Sequence, residues 1–120
     1  MASTSKTGRL GEGLARQFLE KKGYRIVTSN YRGGGGEIDI IAATPDSLVF
    51  VEVKTARTKA FGAPETWVDE KKQEQIGNVA EHYLFEHQLD DVDCRFDIVT
   101  VTMLDGRAEI KHFENAFNFL

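Results

Sequence analysis

The chain has 120 residues, of which 41% are hydrophobic and 28% charged, and its formal net charge is −4. This composition is that of an ordinary globular protein, so it excludes a disordered chain and predicts a single domain over residues 1–120, with residues 1–7 flexible. No apolar run approaches the ~20 residues of a membrane helix, and a lone cysteine agrees with a reducing compartment, so we expect a cytoplasmic protein that does not contact a membrane.

The charges are divided unequally along the chain. Residues 1–72 contain 12 Lys and Arg against 9 Asp and Glu, whereas residues 73–120 contain 3 against 10. This asymmetry favours a basic functional half, and it predicts that non-specific affinity for nucleic acid is modest and sensitive to salt.

The first predicted element is a helix over residues 8–22, with Gly23 as its C-terminal stop. Apolar residues recur there at helical spacing, at Leu10, Leu14, Ala15, Phe18 and Leu19. Glu12 differs from Leu19 by about 20° around the helix axis, so it lies at the rim of the apolar stripe and can face a sheet. An exposed glutamate, favoured by the helix dipole near the N-terminus, is the alternative interpretation.

Three strands are predicted next, over residues 24–32, 36–41 and 48–54, because β-branched residues are bounded there by turn formers. The glycine run at 33–36 is interpreted as a connection between the first two strands. It is not a phosphate-binding loop, since no Gly-Lys-Ser/Thr follows it. Thr44-Pro45-Asp46-Ser47 then joins the last two strands as a hairpin.

The register of this hairpin predicts which side chains converge. If Ala43 faces Leu48 across the turn, the constant register of an antiparallel pair places Asp39 opposite Glu52. Alternation along the two strands also predicts one fully apolar face, made of Ile38, Ile40, Val49, Val51 and Val53.

Asp39 and Glu52 are the candidate centre of a functional site. Opposed residues have Cβ atoms about 5 Å apart, and like charges in that position destabilise a sheet. A divalent cation such as Mg²⁺ would offset the repulsion, since it prefers hard oxygen ligands. Lys54 lies two residues beyond Glu52 on the same face, so its ammonium can reach the same spot and neutralise charge on a phosphate. The alternatives are that both acids are solvated at a strand end, or that Glu52 pairs with a lysine or arginine.

The next segment carries further basic residues. Residues 55–65 are predicted to form a loop whose Arg57 and Lys59 can lie against a polyanion, with a plain solvated loop as the alternative. A second helix is predicted from an N-cap at Asp69 to about residue 88. Lys72 falls on the apolar face of that helix, and we expect its partner to be a substrate phosphate or the acidic pair.

The last third of the chain predicts a terminal hairpin. An acidic loop over residues 90–93 is interpreted as a solvated linker. Strands follow over residues 95–103 and 108–113, joined by a tight Asp-Gly turn. The tail, residues 114–120, is expected to dock on the core or on another subunit.

Asp97 is an acidic residue inside the first of these two strands. It lies on the same face as Val99 and Val101. We interpret Asp97 as a structural residue that pairs with Arg95, Arg32 or another cation.

The spacing of Asp39, Glu52 and Lys54 resembles the Asp, Glu-x-Lys signature of the restriction-endonuclease-like (PD-(D/E)xK) nucleases. Over nearly the whole chain, an ordered series of blocks is similar to the YraN-like uncharacterised bacterial family. The blocks are Gly23-Tyr24, Asn30-Tyr31-Arg32, residues 36–39 and 50–55, Phe61-Gly62 and Arg95-Phe96-Asp97. There are two departures: Ile38 stands where the superfamily name has proline, and Ala56 stands where the family usually has arginine.

This resemblance implies an α/β fold with the αβββαβ core of the restriction-endonuclease-like proteins, a mixed central sheet flanked by helices. It implies a metal-dependent nuclease that hydrolyses phosphodiester bonds in DNA, including branched or damaged DNA, and it allows a homodimer, since Holliday-junction resolvases use two sites. Mg²⁺ or Mn²⁺ would be held by Asp39, Glu52 and the carbonyl of Val53, with Lys54 activating water and Glu12 joining from the first helix. The candidate nucleic-acid contacts are Arg32, Arg57, Lys59 and Lys72.

Two other functions stay open from the sequence. A nucleic-acid-binding or adaptor protein of the same fold, with little catalysis, is favoured by the acidic net charge, the small size and the lack of a dedicated DNA-recognition segment. A purely structural acidic pair, Asp39 with Glu52, would bind no metal ion.

Overall fold

A computed structural model of the chain describes residues 6–57 and 66–117, which form a five-stranded sheet with one helix against each face. In chain order the elements are α1 (Lys6–Lys21), β1 (Arg25–Gly33), β2 (Gly36–Ala43), β3 (Leu48–Ala56), α2 (Glu70–Glu86), β4 (Cys94–Leu104) and β5 (Arg107–Phe117). The strands lie side by side in sequence order, with β1 at one edge and β5 at the other. No helix in these two segments is long and apolar enough to cross a bilayer.

The sheet is mixed. The pairs β1–β2, β2–β3 and β4–β5 are antiparallel, whereas β3–β4 is parallel. A parallel neighbour needs a crossover connection, and α2 lies in the connection between β3 and β4. The predicted fold class, a restriction-endonuclease-like αβββαβ core with a mixed sheet flanked by helices, is therefore confirmed, with β5 added at the edge.

Each helix covers its own apolar cluster on the sheet. The cluster under α1 consists of Ala15, Leu19, Ile40, Ala42, Val49, Val51, Val99 and Val101. The cluster under α2 includes Ile38, Ile41, Leu48, Phe50, Ile76, Val79, Tyr83, Phe96 and Ile98. Both central strands, β3 and β4, contribute to the two clusters, which is why apolar residues occur on both faces of these strands.

Local signals account for most element limits. The side chain of Asp69 accepts a hydrogen bond from the backbone N–H of Lys72 at 2.8 Å, so the predicted N-cap of α2 is confirmed. Gly23 follows α1 with a φ of 95°, a conformation that glycine adopts without steric cost. β3 continues to Ala56, so the loop predicted from residue 55 begins later than expected.

The second strand of the terminal hairpin is longer than predicted. β5 runs to Phe117 rather than ending at residue 113, and the ring of Phe117 stacks on Phe96 with 5.0 Å between centroids. The register between β4 and β5 shifts close to that point, and Asn115 has a φ of 53°. This irregularity interrupts the alternation that predicts strands, so strand periodicity does not predict that Phe117 belongs to β5.

The alternation predicted for β2 breaks at Asp39. Ile40 packs in the cluster under α1, whereas Ile38 packs in the cluster under α2, so the prediction of one apolar face containing both residues is wrong. The β1–β2 register places Asn30 across from Asp39, and Asn30 has a φ of 55°. The change of face in β2 therefore lies directly across from a left-handed residue of β1.

The glycine run between β1 and β2 packs directly against α2. A Cβ on Gly33 would lie 2.5 Å from Nδ1 of His82, and a Cβ on Gly34 would lie 2.7 Å from the carbonyl oxygen of Asn78. The side-chain amide of Gln75 donates a hydrogen bond to the carbonyl of Gly35 at 3.2 Å. The run therefore lets the tip of the β1–β2 hairpin approach the helix more closely than residues with side chains would permit.

Replacement of Gly34 by alanine is expected to destabilise the protein by roughly 2–4 kcal/mol, because it combines a left-handed backbone with a clash against a main-chain atom. Gly35→Ala is the matched control, since Gly35 has a φ of 87° but no heavy atom lies within 4 Å of its added Cβ. We expect about 1–2 kcal/mol for the control, from the backbone alone. Urea unfolding of both variants measures the difference, and equal losses would contradict the close packing of the hairpin on α2.

Candidate active site

The acidic residues lie where β2 and β3 separate. The ladder between the two strands runs from Ala43 opposite Leu48 to Ile40 opposite Val51, which is the predicted register. Beyond it, the carboxylate of Asp39 accepts a hydrogen bond from the backbone N–H of Val53 at 2.8 Å. The predicted register makes Asp39 a ladder partner of Glu52, but the ladder ends before this pair. Asp39 instead directs its carboxylate toward β3.

The backbone of Val53 faces the same opening. The N–H of Leu48 donates to the carbonyl of Asp93, just before β4, so even-numbered residues of β3 direct their backbone groups toward β4. Odd-numbered residues such as Val53 therefore direct both N–H and C=O toward β2. The Val53 carbonyl, a predicted metal ligand, is on the side of the Asp39 carboxylate.

Asp39 lies in an environment that opposes its ionisation. Burial and the negative charge of Glu52 raise the pKa of Asp39 to about 7, with smaller contributions from Glu12 and Glu37, although the hydrogen bond from Val53 acts in the opposite direction. A carboxyl group that titrates near neutral pH is typical of functional sites. The shift also indicates that Glu52 and Glu12 lie within electrostatic reach of Asp39.

Glu52 shares this environment but has cationic neighbours. Burial raises its pKa, and the positive charges of Lys72 and Lys54 act in the opposite direction. The ammonium of Lys72 lies 4.0 Å from Oε2 of Glu52, whose side chain is only 16% exposed. A substrate phosphate or the acidic pair was the predicted partner of Lys72, and in the structure Lys72 contacts Glu52 of that pair. Lys54 is close enough to affect the same carboxylate.

Glu12 reaches the sheet from α1, as predicted. It is buried, with 8% of its surface exposed, and Oε1 accepts hydrogen bonds from Asn30 at 2.8 Å and from Arg16 at 3.4 Å. Gly11 makes this approach possible, because a Cβ at that position would overlap the side chain of Thr55. The alternative of an exposed glutamate is excluded.

The predicted nucleic-acid contacts occupy different positions around these acids. Lys72 faces Glu52, as described. Arg32 is half-exposed and lies 3.7 Å from Glu37, its neighbour across the β1–β2 ladder. Arg57 is exposed directly after β3. Lys59 lies outside the described residues.

The donor set is two carboxylates and one main-chain carbonyl, from Asp39, Glu52 and Val53. Within residues 6–57 and 66–117, no three His, Cys, Asp or Glu side chains converge as metal ligands, so Glu12 belongs to the surroundings of such a site rather than to its direct ligands. All three donors are hard oxygens, and the two half-buried carboxylates repel each other, so the donor chemistry is of the kind that Mg²⁺ or Mn²⁺ prefers.

Comparison with known proteins identifies the family. The model of the uncharacterised protein family UPF0102 matches residues 11–101, a range that includes Glu12, Asp39, Glu52, Lys54 and Lys72. The chain belongs to family UPF0102. The YraN-like resemblance is confirmed at this level.

Curated members of UPF0102 match over nearly their full length. A UPF0102 protein of Alkaliphilus oremlandii is 47% identical over 93% of this chain and 97% of that protein. One from Pelobacter propionicus is 46% identical over 92% of this chain and 81% of that protein, and one from Syntrophus aciditrophicus is 42% identical over 98% and 92%. These names state membership of UPF0102 and no activity, so function is argued from the geometry of the site.

The sequence predicts no specific role for two residues at this candidate site. Asn30 contacts Glu12, and Glu37 adds to the negative charge around Asp39. The sequence singles out Asn30 only as the first residue of the Asn30-Tyr31-Arg32 block. Strand alternation alone does not predict which way its side chain points. The register that places Asp39 opposite Glu52 also places Glu37 opposite Lys54, so it predicts no influence of Glu37 on Asp39.

Proposed function

We propose that the protein is a metal-dependent phosphodiesterase that acts on DNA, with branched or damaged DNA as its substrate class. The observation that carries this proposal is the half-buried Asp39 carboxyl, whose ionisation is opposed by burial and by the charges of Glu52 and Glu12 and which is fixed by the Val53 N–H. A buried cluster of like charges destabilises a fold unless a cation is bound there. The fold class and the resemblance of Asp39, Glu52 and Lys54 to the nuclease signature support the same chemistry.

In this proposal, Asp39, Glu52 and the carbonyl of Val53 hold Mg²⁺ or Mn²⁺. The ion, when bound, supplies a Lewis acid that polarises a phosphoryl oxygen and lowers the pKa of water. The chain provides the remaining functions: the Asp39 carboxylate is held in one orientation by Val53, and Glu12 adds a buried negative charge from the α1 side.

Two lysines supply positive charge at the same place. Lys54 would orient the attacking water and stabilise the negative charge that develops on the phosphate. Lys72 would exchange its contact with Glu52 for a substrate phosphate once a cation neutralises that carboxylate. The 4.0 Å separation and partial exposure of Lys72 permit such an exchange at small energetic cost.

One observation favours a second candidate, an adaptor that binds nucleic acid with little catalysis. The contact between Lys72 and Glu52 already neutralises part of the acidic cluster, and the net charge of −4 weakens non-specific attraction to nucleic acid. Metal binding without turnover distinguishes this candidate from the phosphodiesterase.

The test is a nuclease panel combined with calorimetry. Wild-type protein with Mg²⁺ or Mn²⁺ is expected to cut a four-way DNA junction, a flap or a nicked duplex. Asp39→Asn and Lys54→Ala are expected to lose the cut, since the first removes a ligand charge and the second removes the cation beside the phosphate. Lys71→Ala is the matched control, because Lys71 is exposed on α2 next to Lys72 and should leave cleavage unchanged.

The possible outcomes distinguish a phosphodiesterase, an adaptor and a purely structural acidic cluster. Calorimetric titration should detect Mn²⁺ binding by wild type and Lys54→Ala, and much weaker binding by Asp39→Asn. Equal cleavage by all variants would indicate a contaminating nuclease and contradict the proposal. Mn²⁺ binding without cleavage of any DNA or RNA would favour the adaptor, and no binding at millimolar Mn²⁺ would leave a structural acidic cluster.

A further inference from the structure

Asn30 has an unusual conformation for a residue inside a strand. It lies in β1 with a φ of 55°, in the left-handed region that residues with a Cβ avoid and that asparagine tolerates better than most. Such residues persist where the surrounding structure holds them, and they concentrate at functional sites. The side-chain amide of Asn30 donates to Oε1 of Glu12 at 2.8 Å.

The position of Asn30 relative to Asp39 gives this conformation a structural consequence. Ser29 pairs with Ile40 and Tyr31 pairs with Ile38, so Asn30 lies across from Asp39 between two regular ladder positions. Side chains of β2 change face between these positions, because Ile40 packs under α1 and Ile38 under α2. The left-handed residue and the acid therefore lie at the same interruption of the hairpin.

We propose that Asn30 is a positioning residue of the acidic site: its left-handed backbone directs its amide to Glu12 and holds that carboxylate toward Asp39. Arg16 competes for the same oxygen, at 3.4 Å and four residues along α1. Without the Asn30 amide, Glu12 would turn toward Arg16, whose side chain is 39% exposed, and away from the sheet. The role in metal binding rests on the proposed function.

A comparison of two asparagines separates the amide from the backbone. Asn30→Gly accepts the left-handed φ without strain but lacks the donor to Glu12. Asn115→Gly is the matched control, since Asn115 also has a left-handed φ, 53°, inside a strand, and glycine keeps its backbone N–H, which donates to Asp97. Both variants are expected to fold with melting temperatures close to that of wild type.

The measurement is the Mn²⁺ dissociation constant by calorimetry, in a double-mutant cycle with Glu12→Ala. Asn30→Gly is expected to weaken Mn²⁺ binding about tenfold, as loss of a group that orients a metal site does. The double variant should bind no more weakly than Glu12→Ala alone, because Asn30 acts through Glu12. Asn115→Gly should bind as wild type does. Unchanged binding by Asn30→Gly, or effects that multiply in the double variant, would overturn the role of Asn30.

A metal-free measurement keeps this inference separate from the proposed function. In ¹H–¹⁵N spectra, the side-chain amide protons of Asn30 should exchange slowly and should move toward the positions of an exposed asparagine in Glu12→Ala. The amide of Asn115 should stay where it is. If wild type binds no Mn²⁺, the proposed function fails, but the spectra still decide whether Asn30 holds Glu12. Asn30 amide signals with the chemical shifts of an exposed asparagine in wild type would show that it does not.

Discussion

Asp39→Asn is expected to stabilise the metal-free protein above pH 7 by up to about 4 kcal/mol. The pKa of Asp39 is raised from 3.8 to about 7, because burial and Glu52 oppose its ionisation. Each pKa unit corresponds to about 1.4 kcal/mol, and the contribution of a raised carboxyl is fully present below the unfolded pKa and lost as pH rises through the folded pKa. Wild type should therefore lose stability from about pH 4 to pH 7, whereas the asparagine stays neutral and still offers an oxygen to the Val53 N–H.

The measurement is urea unfolding of both proteins at several pH values between 5 and 8, with a chelator present. The free energy of unfolding of Asp39→Asn should exceed that of wild type increasingly as pH rises. Asp46→Asn is the matched control, because Asp46 is exposed in the turn between β2 and β3 and its replacement should give a profile parallel to wild type. An Asp39→Asn variant that is less stable than wild type at pH 8 would contradict a repulsive, buried environment for this acid.

This expected gain separates the acidic cluster from the rest of the core. Most substitutions at buried positions destabilise a protein, so a position where a neutral replacement stabilises marks a site kept for another purpose. If Asp39 and Glu52 hold a cation, Mn²⁺ should restore stability to wild type at pH 8 and have little effect on Asp39→Asn. The stability measurement without metal does not depend on that function, which makes it an independent check of the electrostatics.

The general position of the site could be predicted from the sequence because it depends on regular features. The turn between β2 and β3 fixes Ala43 opposite Leu48, and strand periodicity then carries Asp39 and Glu52 to the same end of the hairpin. Helical periodicity likewise placed Glu12 at the rim of the apolar stripe of α1, where it meets the sheet. Contacts that follow from a constant strand or helix period can be predicted from the sequence alone.

The details that could not be predicted depend on irregular backbone. Asn30 adopts a left-handed φ, which no periodic pattern encodes for a residue other than glycine, and the alternation of β2 breaks across from it, so strand periodicity predicts the wrong face for Ile38. The same limitation applies at Asn115, where β5 continues beyond its predicted end. At Asn115 the register of β5 against β4 shifts, whereas at Asn30 the β1–β2 register is kept and only the faces of the β2 side chains change.

Contacts between residues far apart in the sequence are a second kind of detail that could not be predicted. The sequence predicts the run at residues 33–36 only as a connection between two strands, because its neighbours His82, Asn78 and Gln75 lie on a helix more than 35 residues away. Glycine is required there because α2 packs closely against the hairpin, and the residues around positions 33–36 do not predict that contact. The partners of Asp97 were predicted only in part for the same reason: Arg95 is adjacent in the strand, whereas His112 and Asn115 come from β5.

Asp97→Ala is expected to destabilise the protein by about 3–5 kcal/mol, the usual range for removal of one partner from a buried ion pair. Asp97 is fully buried and accepts two hydrogen bonds from Arg95, both at 2.9 Å, one from Nε2 of His112 at 2.7 Å and one from the backbone N–H of Asn115 at 3.0 Å. Alanine would leave the guanidinium of Arg95 and the His112 N–H without this acceptor. These groups join β4 to β5, so loosening of the β5 edge should accompany the loss.

The effect of Asp97→Ala should depend on pH in the opposite sense to that of Asp39→Asn. Burial alone would raise the pKa of Asp97, but the hydrogen bonds from His112, Arg95 and Asn115 lower it below its ordinary value of 3.8. A depressed carboxyl contributes stability that is present above the unfolded pKa and lost as pH falls through the folded pKa. The difference between wild type and Asp97→Ala should therefore be largest near neutral pH and shrink below about pH 4.

Thermal and urea unfolding at pH 7 and pH 3 test this prediction, with Asp90→Ala as the control. Asp90 is exposed in the acidic loop before β4, and its replacement should change stability by no more than about 0.5 kcal/mol. Hydrogen exchange adds a local readout, since amides of β5 should lose protection in Asp97→Ala before those of β2 and β3. A loss that is equal at both pH values would mean that packing, rather than the charge of Asp97, holds β5 to the sheet. An Asp97→Ala protein as stable as wild type at pH 7 would mean that Arg95 and His112 find other acceptors once the carboxylate is gone.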